Sequence, residues 1–351
     1  MKNLAWITAL LLLSVLSGCA SYSHKSASRS HAITEFTPTY EENLTHDQQL
    51  ADVLFVPGVG FSFLNTLNPE KCDAQDYIEW KELNALFNQK GFNLHVACIP
   101  SIASIENLAT ELKDDIEKKF PAAEKRKFHI IAKSMGGLAV RQVLSDAYKE
   151  NRSLSDQVIT FTTISTPHKG SYIANMLMQG EFCTIPGNIL SFFRSFFPDD
   201  PDGYGFAAAG ADLTTYSKFR ELYVNKKIEN DLKIKDDPEI YKRAFSYGSA
   251  IDCDANCRSK YHDRKTIPSL IIHCWHDAMV KNLELNYDPE NGDLNTQNDG
   301  LVTVESAMYG KYVDTFEGDH MALTEKGWLY KGKPIWKDVF SKVLDNIKEK
   351  N

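Results

Sequence analysis

Residues 130–141 read Ile130-Ile131-Ala132-Lys133-Ser134-Met135-Gly136-Gly137-Leu138-Ala139-Val140-Arg141. An apolar run ends at a serine, and a segment with helical character follows at once. Small residues two positions before and after the serine, Ala132 and Gly136, allow the backbone to turn sharply. We expect this turn to lift the Ser134 hydroxyl above a sheet edge and to place the Met135 N–H at a helix N-terminus, which stabilises negative charge. The pattern predicts a nucleophile elbow, although the same letters fit a plain strand–loop–helix connection.

Strand and helix patterns alternate through the rest of the chain. The predicted strands are Val53–Val56, Asn93–Cys98, Phe128–Lys133, Val158–Ile164, Arg243–Tyr247, Ser269–Cys274 and Tyr312–Phe316. This alternation predicts an α/β fold with a mostly parallel central sheet flanked by helices. Residues 171 to about 240 show no clear strand and form a lid-like insertion after the half that bears Ser134. Its apolar stretch Ile189–Phe197 fits either a flap over the site or an ordinary core helix.

A serine hydroxyl needs a base to take its proton, and the base needs an acid to orient it. In folds with this elbow, the chain order is serine, acid, histidine. His320 follows the last predicted strand and is the one histidine after His276. We therefore assign His320 as the base, against the alternative of an exposed loop histidine.

Two aspartates compete for the role of the acid. Asp277 directly follows a predicted strand, which is a common place for this residue. Asp299 lies in Asn298-Asp299-Gly300-Leu301-Val302, which also reads as a simple Asp-Gly turn. Reasoning from the residues alone leaves this choice open.

The oxyanion of an acyl-transfer intermediate needs two backbone N–H donors. Met135, directly after the serine, supplies one. The second is expected from the loop after the first strand, Pro57-Gly58-Val59-Gly60, where glycines allow a close backbone approach. Val59 is the candidate donor, although the same loop is also a Pro-Gly turn.

The N-terminus predicts export. Leu4–Leu16 is an apolar stretch that is too short for a permanent transmembrane helix, and Lys2 precedes it. Leu16-Ser17-Gly18-Cys19 follows and resembles the lipobox of bacterial lipoproteins. The resemblance implies a signal peptide at 1–18 and a lipidated Cys19 that becomes the mature N-terminus, rather than an ordinary secretory signal.

The residues after Cys19 bear on location. Ala20 and Ser21 differ from the aspartate that marks inner-membrane retention, so the resemblance implies a lipid-anchored protein of the bacterial cell envelope, at the outer membrane, on its periplasmic or surface face. Residues 19–49 are serine-rich with little apolar content and predict a flexible tether.

Charge excludes some partners. The 39 basic and 47 acidic residues give a formal net charge of −8, without a basic run. We therefore expect no nucleic-acid partner and no electrostatic binding to anionic lipid, so membrane attachment depends on the lipid anchor and on apolar surface. The sequence does not indicate the oligomeric state.

Six cysteines follow Cys19, and an exported protein permits disulfides among them. Cys253 and Cys257 share a polar loop where a short disulfide is plausible. Together with His262, His273 and His276 they match no common zinc spacing, so no metal site is predicted.

Several motifs, in order, resemble bacterial triacylglycerol lipases of the α/β-hydrolase superfamily. They are Pro57–Gly60, Ala132–Arg141, Thr163–Ser171, Asn298–Val302 and Gly318–His320. In that family the aspartate of Asn-Asp-Gly-Leu-Val is the acid, so the resemblance implies Asp299 rather than Asp277. It also implies an α/β-hydrolase domain over residues 50–351 and a structural role for His168.

The chain departs from these lipases at two places that concern the site. Lys133 and Pro57 stand where many of them carry histidine. Calcium-binding members also have an aspartate two residues after the site histidine, where this chain has Ala322. We therefore expect no calcium ion and no other cofactor.

The resemblance implies a serine hydrolase that cleaves carboxylic esters of acyl lipids. Ser134 would be the nucleophile, His320 the base and Asp299 the orienting acid. A phospholipase, a thioesterase or an acyltransferase would use the same three residues. A catalytically silent lipoprotein that binds lipid in the same pocket is the alternative outside enzymes.

Overall fold

The computed structural model describes residues 51–58, 78–100, 102–179, 204–213, 234–251, 275–281, 283, 295–320 and 335–350. The predicted signal peptide and tether therefore lie outside the described residues, as do the predicted strand Ser269–Cys274 and the apolar stretch Ile189–Phe197. None of the helices in the described ranges combines the length and the apolar composition that crossing a bilayer requires.

Within the described residues, six strands form one sheet. They are β1 (Ala51–Val56), β2 (Phe92–Val96), β3 (Phe128–Lys133), β4 (Val158–Ile164), β5 (Ala244–Ala250) and β6 (Lys311–Glu317). The strand order is β2-β1-β3-β4-β5-β6, and each neighbouring pair is parallel. These parallel pairs confirm the predicted sheet. The helical segments between the strands serve as the crossover connections that parallel pairing requires.

Helices cover both faces of the sheet. The longer ones are α1 (Ile78–Gln89), α2 (Ile105–Lys119), α3 (Met135–Lys149), α4 (Tyr172–Gln179), α5 (Tyr204–Asp212) and α6 (Trp336–Lys348). Apolar residues of α2 and α3 pack on one face with Leu54 and Val56, and those of α1 and α6 pack on the other with Val53 and Phe55. Alternate residues of β1 thus point to opposite layers, which explains why Val53–Val56 is a continuous apolar run.

The predicted insertion contains helices and no strand in its described parts, which include α4, α5 and the single turn Pro238–Tyr241. The end of α5 is fixed to the body. Asp212 Oδ2 accepts a hydrogen bond of 2.7 Å from the N–H of Ile105, at the start of α2. The Leu213 carbonyl accepts another, of 2.8 Å, from the N–H of Ser171. A carboxylate at a helix N-terminus satisfies an amide that has no partner within the helix.

The carboxyl ends of parallel strands meet at one edge, where sites gather in such sheets. The residues that follow them there are Gly58, Ser134, Ser165, Ile251 and His320. These positions come from distant parts of the sequence, and the sheet order alone brings them to a common edge.

Candidate active site

Ser134 occupies the turn between β3 and α3. Its backbone has φ 50° and ψ −134°, which few non-glycine residues adopt. The turn is held at both sides, because the Ser134 N–H donates to the Ile164 carbonyl at 3.0 Å and the Ser134 carbonyl accepts from the Gly137 N–H at 3.1 Å. The strained turn therefore presents the hydroxyl at the start of a helix.

Glycines allow the chain to pack closely around this turn. A Cβ atom at Gly136 would lie 2.3 Å from the Pro57 carbonyl oxygen, and one at Gly137 would lie 2.2 Å from Thr166 Oγ1. Neither position can hold a larger residue unless the backbone or its neighbours move. The small residue predicted two positions after the serine is thus required by contact with the loop after β1.

That loop also contacts the serine itself. A Cβ atom on Gly58 would lie 2.6 Å from Ser134 Cβ and 3.3 Å from Ser134 Oγ. Val59, the predicted second oxyanion donor, lies just outside the described residues. Met135 is the first residue of α3, where backbone N–H groups have no acceptor within the helix.

Three side chains far apart in sequence are joined by hydrogen bonds. His320 Nε2 lies 2.9 Å from Ser134 Oγ, and His320 Nδ1 lies 2.8 Å from Asp299 Oδ2. Asp299 and His320 are buried, and the His320 N–H also donates to the Asp299 carbonyl at 2.9 Å. The structure thus brings together the three residues that the sequence singled out.

Asp299 is held at both carboxylate oxygens. Oδ1 accepts from the N–H groups of Leu301 at 3.0 Å and Val302 at 2.7 Å, and Oδ2 accepts from Ser249 Oγ at 2.8 Å as well as from the imidazole. Burial alone would raise the pKa of Asp299, but the charge and hydrogen bond of His320, the Val302 N–H and the Ser249 hydroxyl together lower it. Asp299 is therefore ionised at neutral pH.

The ionised carboxylate fixes the direction of the other hydrogen bonds. Because Asp299 can only accept, the proton of a neutral His320 lies on Nδ1. Nε2 is then an acceptor and faces the Ser134 hydroxyl, which donates to it. This is the arrangement that a general base requires.

Asp277, the alternative acid, lies elsewhere. Its side chain is 66% exposed and accepts a hydrogen bond from the neighbouring His276 at 3.1 Å. The Nδ1 atom of His320 is occupied by Asp299 instead. Asp277 was a candidate because it directly follows a predicted strand, but that position did not bring it into contact with His320.

His168 is buried against a cation. Its Nε2 lies 3.1 Å from Thr163 Oγ1, its Nδ1 lies 3.3 Å from Arg141 Nη1, and its ring stacks on Tyr309 with 4.5 Å between centroids. Burial, with the charge of Arg141 as a second cause, holds the pKa of His168 well below its usual value. The ring is neutral and fully partnered, as a packing residue would be.

Sequence reasoning missed two serines that lie behind the Asp299 carboxylate. Ser249 Oγ donates to Asp299 Oδ2, and Ser165 Oγ lies 2.7 Å from Ser249 Oγ. Ser165 belongs to a quoted motif but was given no role, and Ser249 lies within β5. No spacing rule marks a serine in mid-strand, so only the tertiary contact reveals it.

The remaining predicted sites concern cysteines. Cys19, Cys253 and Cys257 lie outside the described residues. Cys98 is disulfide-bonded. Across the described ranges, no group of three or more His, Cys, Asp or Glu residues is arranged to hold a metal ion.

The segment around the elbow matches a family of known proteins. Residues 98–183 match the family model described as "Putative serine esterase (DUF676)". This range contains Ser134, Ser165 and His168. The chain is also 26% identical over 267 residues to triacylglycerol lipase 2 of Saccharomyces cerevisiae, covering 74% of this chain and 66% of that protein.

Solved structures share the architecture. The lipase of Staphylococcus hyicus superposes with a TM-score of 0.51 at 16% identity and covers 88% of this chain and 98% of its own. The chain has the α/β-hydrolase fold. The mature lipase BlEst2 of Bacillus licheniformis has a TM-score of 0.48 at 17% identity, covering 86% of this chain and 96% of its own.

Proposed function

We propose that this chain is a serine hydrolase that cleaves carboxylic esters of acyl lipids. The observation that carries the proposal is the hydrogen-bonded chain from Ser134 through His320 to the ionised Asp299. The match of residues 98–183 to a serine esterase model supports the same reaction class. The elbow, the base and the acid also follow the expected chain order.

The first half of the reaction acylates the serine. His320 Nε2 takes the proton from Ser134 Oγ as that oxygen bonds to the ester carbonyl carbon. The Met135 N–H, with the Val59 N–H as the proposed second donor, stabilises the oxyanion. The carbon–oxygen bond to the alcohol then breaks, and the imidazolium gives its proton to the leaving alcohol.

The second half releases the acid. His320 takes a proton from water while the water oxygen bonds to the acyl carbon, and the bond to Ser134 Oγ breaks as that oxygen regains a proton. Asp299 stays ionised throughout. It holds the imidazole in one tautomer and stabilises the imidazolium.

Two observations favour an acyl lipid as the substrate. The yeast relative is named a triacylglycerol lipase, and the predicted lipobox would hold this enzyme at a lipid surface. A phospholipase, thioesterase or acyltransferase would use the same residues. A panel of triacylglycerol, phospholipid and acyl thioester substrates, with separate measurement of released acid and transferred acyl groups, distinguishes them.

We also propose that the protein is anchored by a lipid on Cys19 in the bacterial envelope, at the outer membrane. The disulfide at Cys98 supports export, because disulfides persist in oxidising compartments. The serine-rich tether would let the body move a short distance from the membrane surface.

Replacing the nucleophile tests the reaction. Ser134→Ala is expected to lower kcat on a soluble p-nitrophenyl acyl ester by roughly 10⁴-fold or more, because covalent catalysis is lost. A fluorophosphonate probe should label the wild type at Ser134 and leave the variant unlabelled. Ser246→Ala is a matched control, since Ser246 is a buried serine on β5 that contacts the Tyr309 N–H.

Two results would reject the proposal. One is near-wild-type ester cleavage by folded Ser134→Ala. The other is a folded wild type that neither cleaves esters nor reacts with the probe, which would favour the silent lipid-binding lipoprotein.

A further inference from the structure

A line of hydrogen bonds continues past the acid into the core. Asp299 Oδ2 accepts from Ser249 Oγ at 2.8 Å, and Ser249 Oγ lies 2.7 Å from Ser165 Oγ. Ser165 is 0% exposed and Ser249 is 1% exposed. Because the carboxylate only accepts, Ser249 must use its proton there, and Ser165 must in turn donate to Ser249. The direction of both bonds is therefore fixed.

The backbone is strained to place Ser165 in this line. Ser165 follows β4 with φ 46°, in the left-handed region that disfavours residues with a side chain. Its N–H donates to the Tyr247 carbonyl at 2.8 Å, which anchors it to β5. Glycine would adopt this conformation at lower cost but would provide no hydroxyl. A strained residue that supplies one specific contact points to a role in the site.

The hydroxyl of Ser249 binds the same carboxylate oxygen of Asp299 that faces His320. Oδ1 of Asp299 is held by backbone N–H groups of its own turn, whereas Oδ2 is shared by the Ser249 hydroxyl and the imidazole of His320. Ser249 thus limits rotation of the carboxylate about the bond that aims Oδ2 at His320.

We propose that Ser249, supported by Ser165, is a positioning residue that aims the Asp299 carboxylate at His320. This inference rests on the proposed function. Neither serine touches the nucleophile, so both would act through the acid alone. The competing explanation is that the two hydroxyls only satisfy each other in the core.

The test compares two serine-to-alanine changes on the same strand. We expect Ser249→Ala to lower kcat on a soluble acyl ester about tenfold with unchanged KM, which is the scale of one hydrogen bond to a charged group. The acid limb of the kcat/KM profile should move to lower pH, because a carboxylate that is no longer aimed at His320 stabilises the protonated imidazole less. The far-downfield proton resonance of the His320 Nδ1–H should shift as well.

The control is again Ser246→Ala, which removes a buried hydroxyl from the same strand away from Asp299. It should lose stability without moving the acid limb. Ser249→Thr keeps the hydroxyl and should restore the wild-type profile.

A second variant tests the same inference if Ser249→Ala fails to fold. Ser165→Gly removes the hydroxyl while relieving the left-handed strain, so it should fold. We expect a smaller loss of kcat, about two- to fivefold, with the acid limb moved in the same direction. If Ser249→Ala does not fold and Ser165→Gly keeps the wild-type profile, the inference is overturned.

The outcomes separate the two proposals. Activity that survives Ser134→Ala overturns the proposed function, and this inference with it. Suppose instead that Ser134→Ala is inactive, while folded Ser249→Ala has the same kcat and the same acid limb as Ser246→Ala. The positioning role of Ser249 is then wrong, and the proposed function stands.

Discussion

Gly58 illustrates how a single residue sets the geometry around Ser134, the proposed nucleophile. Any side chain there would press on Ser134, since a Cβ atom would lie 2.6 Å from Ser134 Cβ. The loop after β1 therefore approaches the elbow more closely than any residue but glycine allows. Gly91 differs, because it needs glycine for its backbone, with φ 90° and no neighbour within 4 Å of the added atom.

This contrast gives a prediction. Gly58→Ala should lower kcat on a soluble ester about 100-fold, because the added methyl displaces the nucleophile from His320. Gly91→Ala should leave kcat unchanged and lower the free energy of unfolding by about 1 kcal/mol through backbone strain. Ester kinetics corrected for the folded fraction measure the first effect, and urea unfolding measures the second. A Gly58→Ala enzyme with the wild-type kcat would contradict the argument.

At the scale of elements, a buried cluster joins helix α3 to the loop after β4 and to the end of the insertion. Arg141 on α3 makes two hydrogen bonds to Asp236, of 3.1 and 2.9 Å, and lies over the ring of Tyr309. The Tyr309 hydroxyl donates to Asp236 at 2.7 Å. His168 packs on the same ring and accepts from Arg141. A protonated His168 would lose that bond and face a cation.

The cluster predicts acid sensitivity. The lowered pKa of His168 means that the unfolded chain binds a proton near pH 6.5 while the folded chain does not. His168 therefore contributes its full stability above pH 6.5, and the free energy of unfolding falls as the pH decreases below it, by at most about 1.4 kcal/mol per pH unit. Urea unfolding at pH 7.5, 6.5 and 5.5 measures this slope.

His168→Gln is the matched variant, because glutamine stays neutral over the whole range. It should be less stable at pH 7.5 and should show a flatter slope below pH 6.5. An unchanged slope would assign the acid sensitivity to other residues. The lowered pKa of Asp299 acts in a separate window, since its contribution is lost only as the pH falls below the usual carboxyl value of 3.8.

The elements were more predictable than the contacts between them. Strands β1 and β3 are mostly buried, and each carries an apolar run, Val53–Val56 and Ile130–Ala132, that could be recognised in the sequence. Helices α4 and α5 were not predicted, because both are short, at eight and nine residues, and contact mainly each other.

The candidate site was predictable in part. Chain order was enough to single out Ser134 and His320, whose catalytic roles stay predictions. Chain order did not decide between Asp277 and Asp299, and the prediction of Asp299 came from the resemblance of Asn298–Val302 to a lipase motif. The contact itself depends on how the turn after Asn298 folds back toward β6. That turn is fixed by backbone bonds to the Asp299 carboxylate itself.

At the scale of the whole molecule, the proposed anchor and the sheet are separate units along the chain. Cys19 precedes the serine-rich tether, and β1 begins at Ala51. Neither the strands nor the hydrogen-bonded site within the described ranges uses residues of the tether. The anchor should therefore affect where the protein resides, while leaving its chemistry intact.

This separation can be tested in a bacterial host. The full chain should incorporate labelled palmitate and fractionate with outer membranes. Cys19→Ala should do neither, while its esterase activity per folded molecule stays at the wild-type value, because the thiol that accepts the lipid is gone. Ser23→Ala, a change in the same tether, should behave like the wild type. A Cys19→Ala protein that still carries label would contradict the assignment.

Ser134 and His320 are separated by 186 positions along the chain. A nascent chain therefore contains Ser134 long before His320 has been added. Under the proposed mechanism, ester cleavage needs both side chains, so we expect it to begin only after β6 has paired with β5. The order of the strands would then protect surrounding esters during biogenesis.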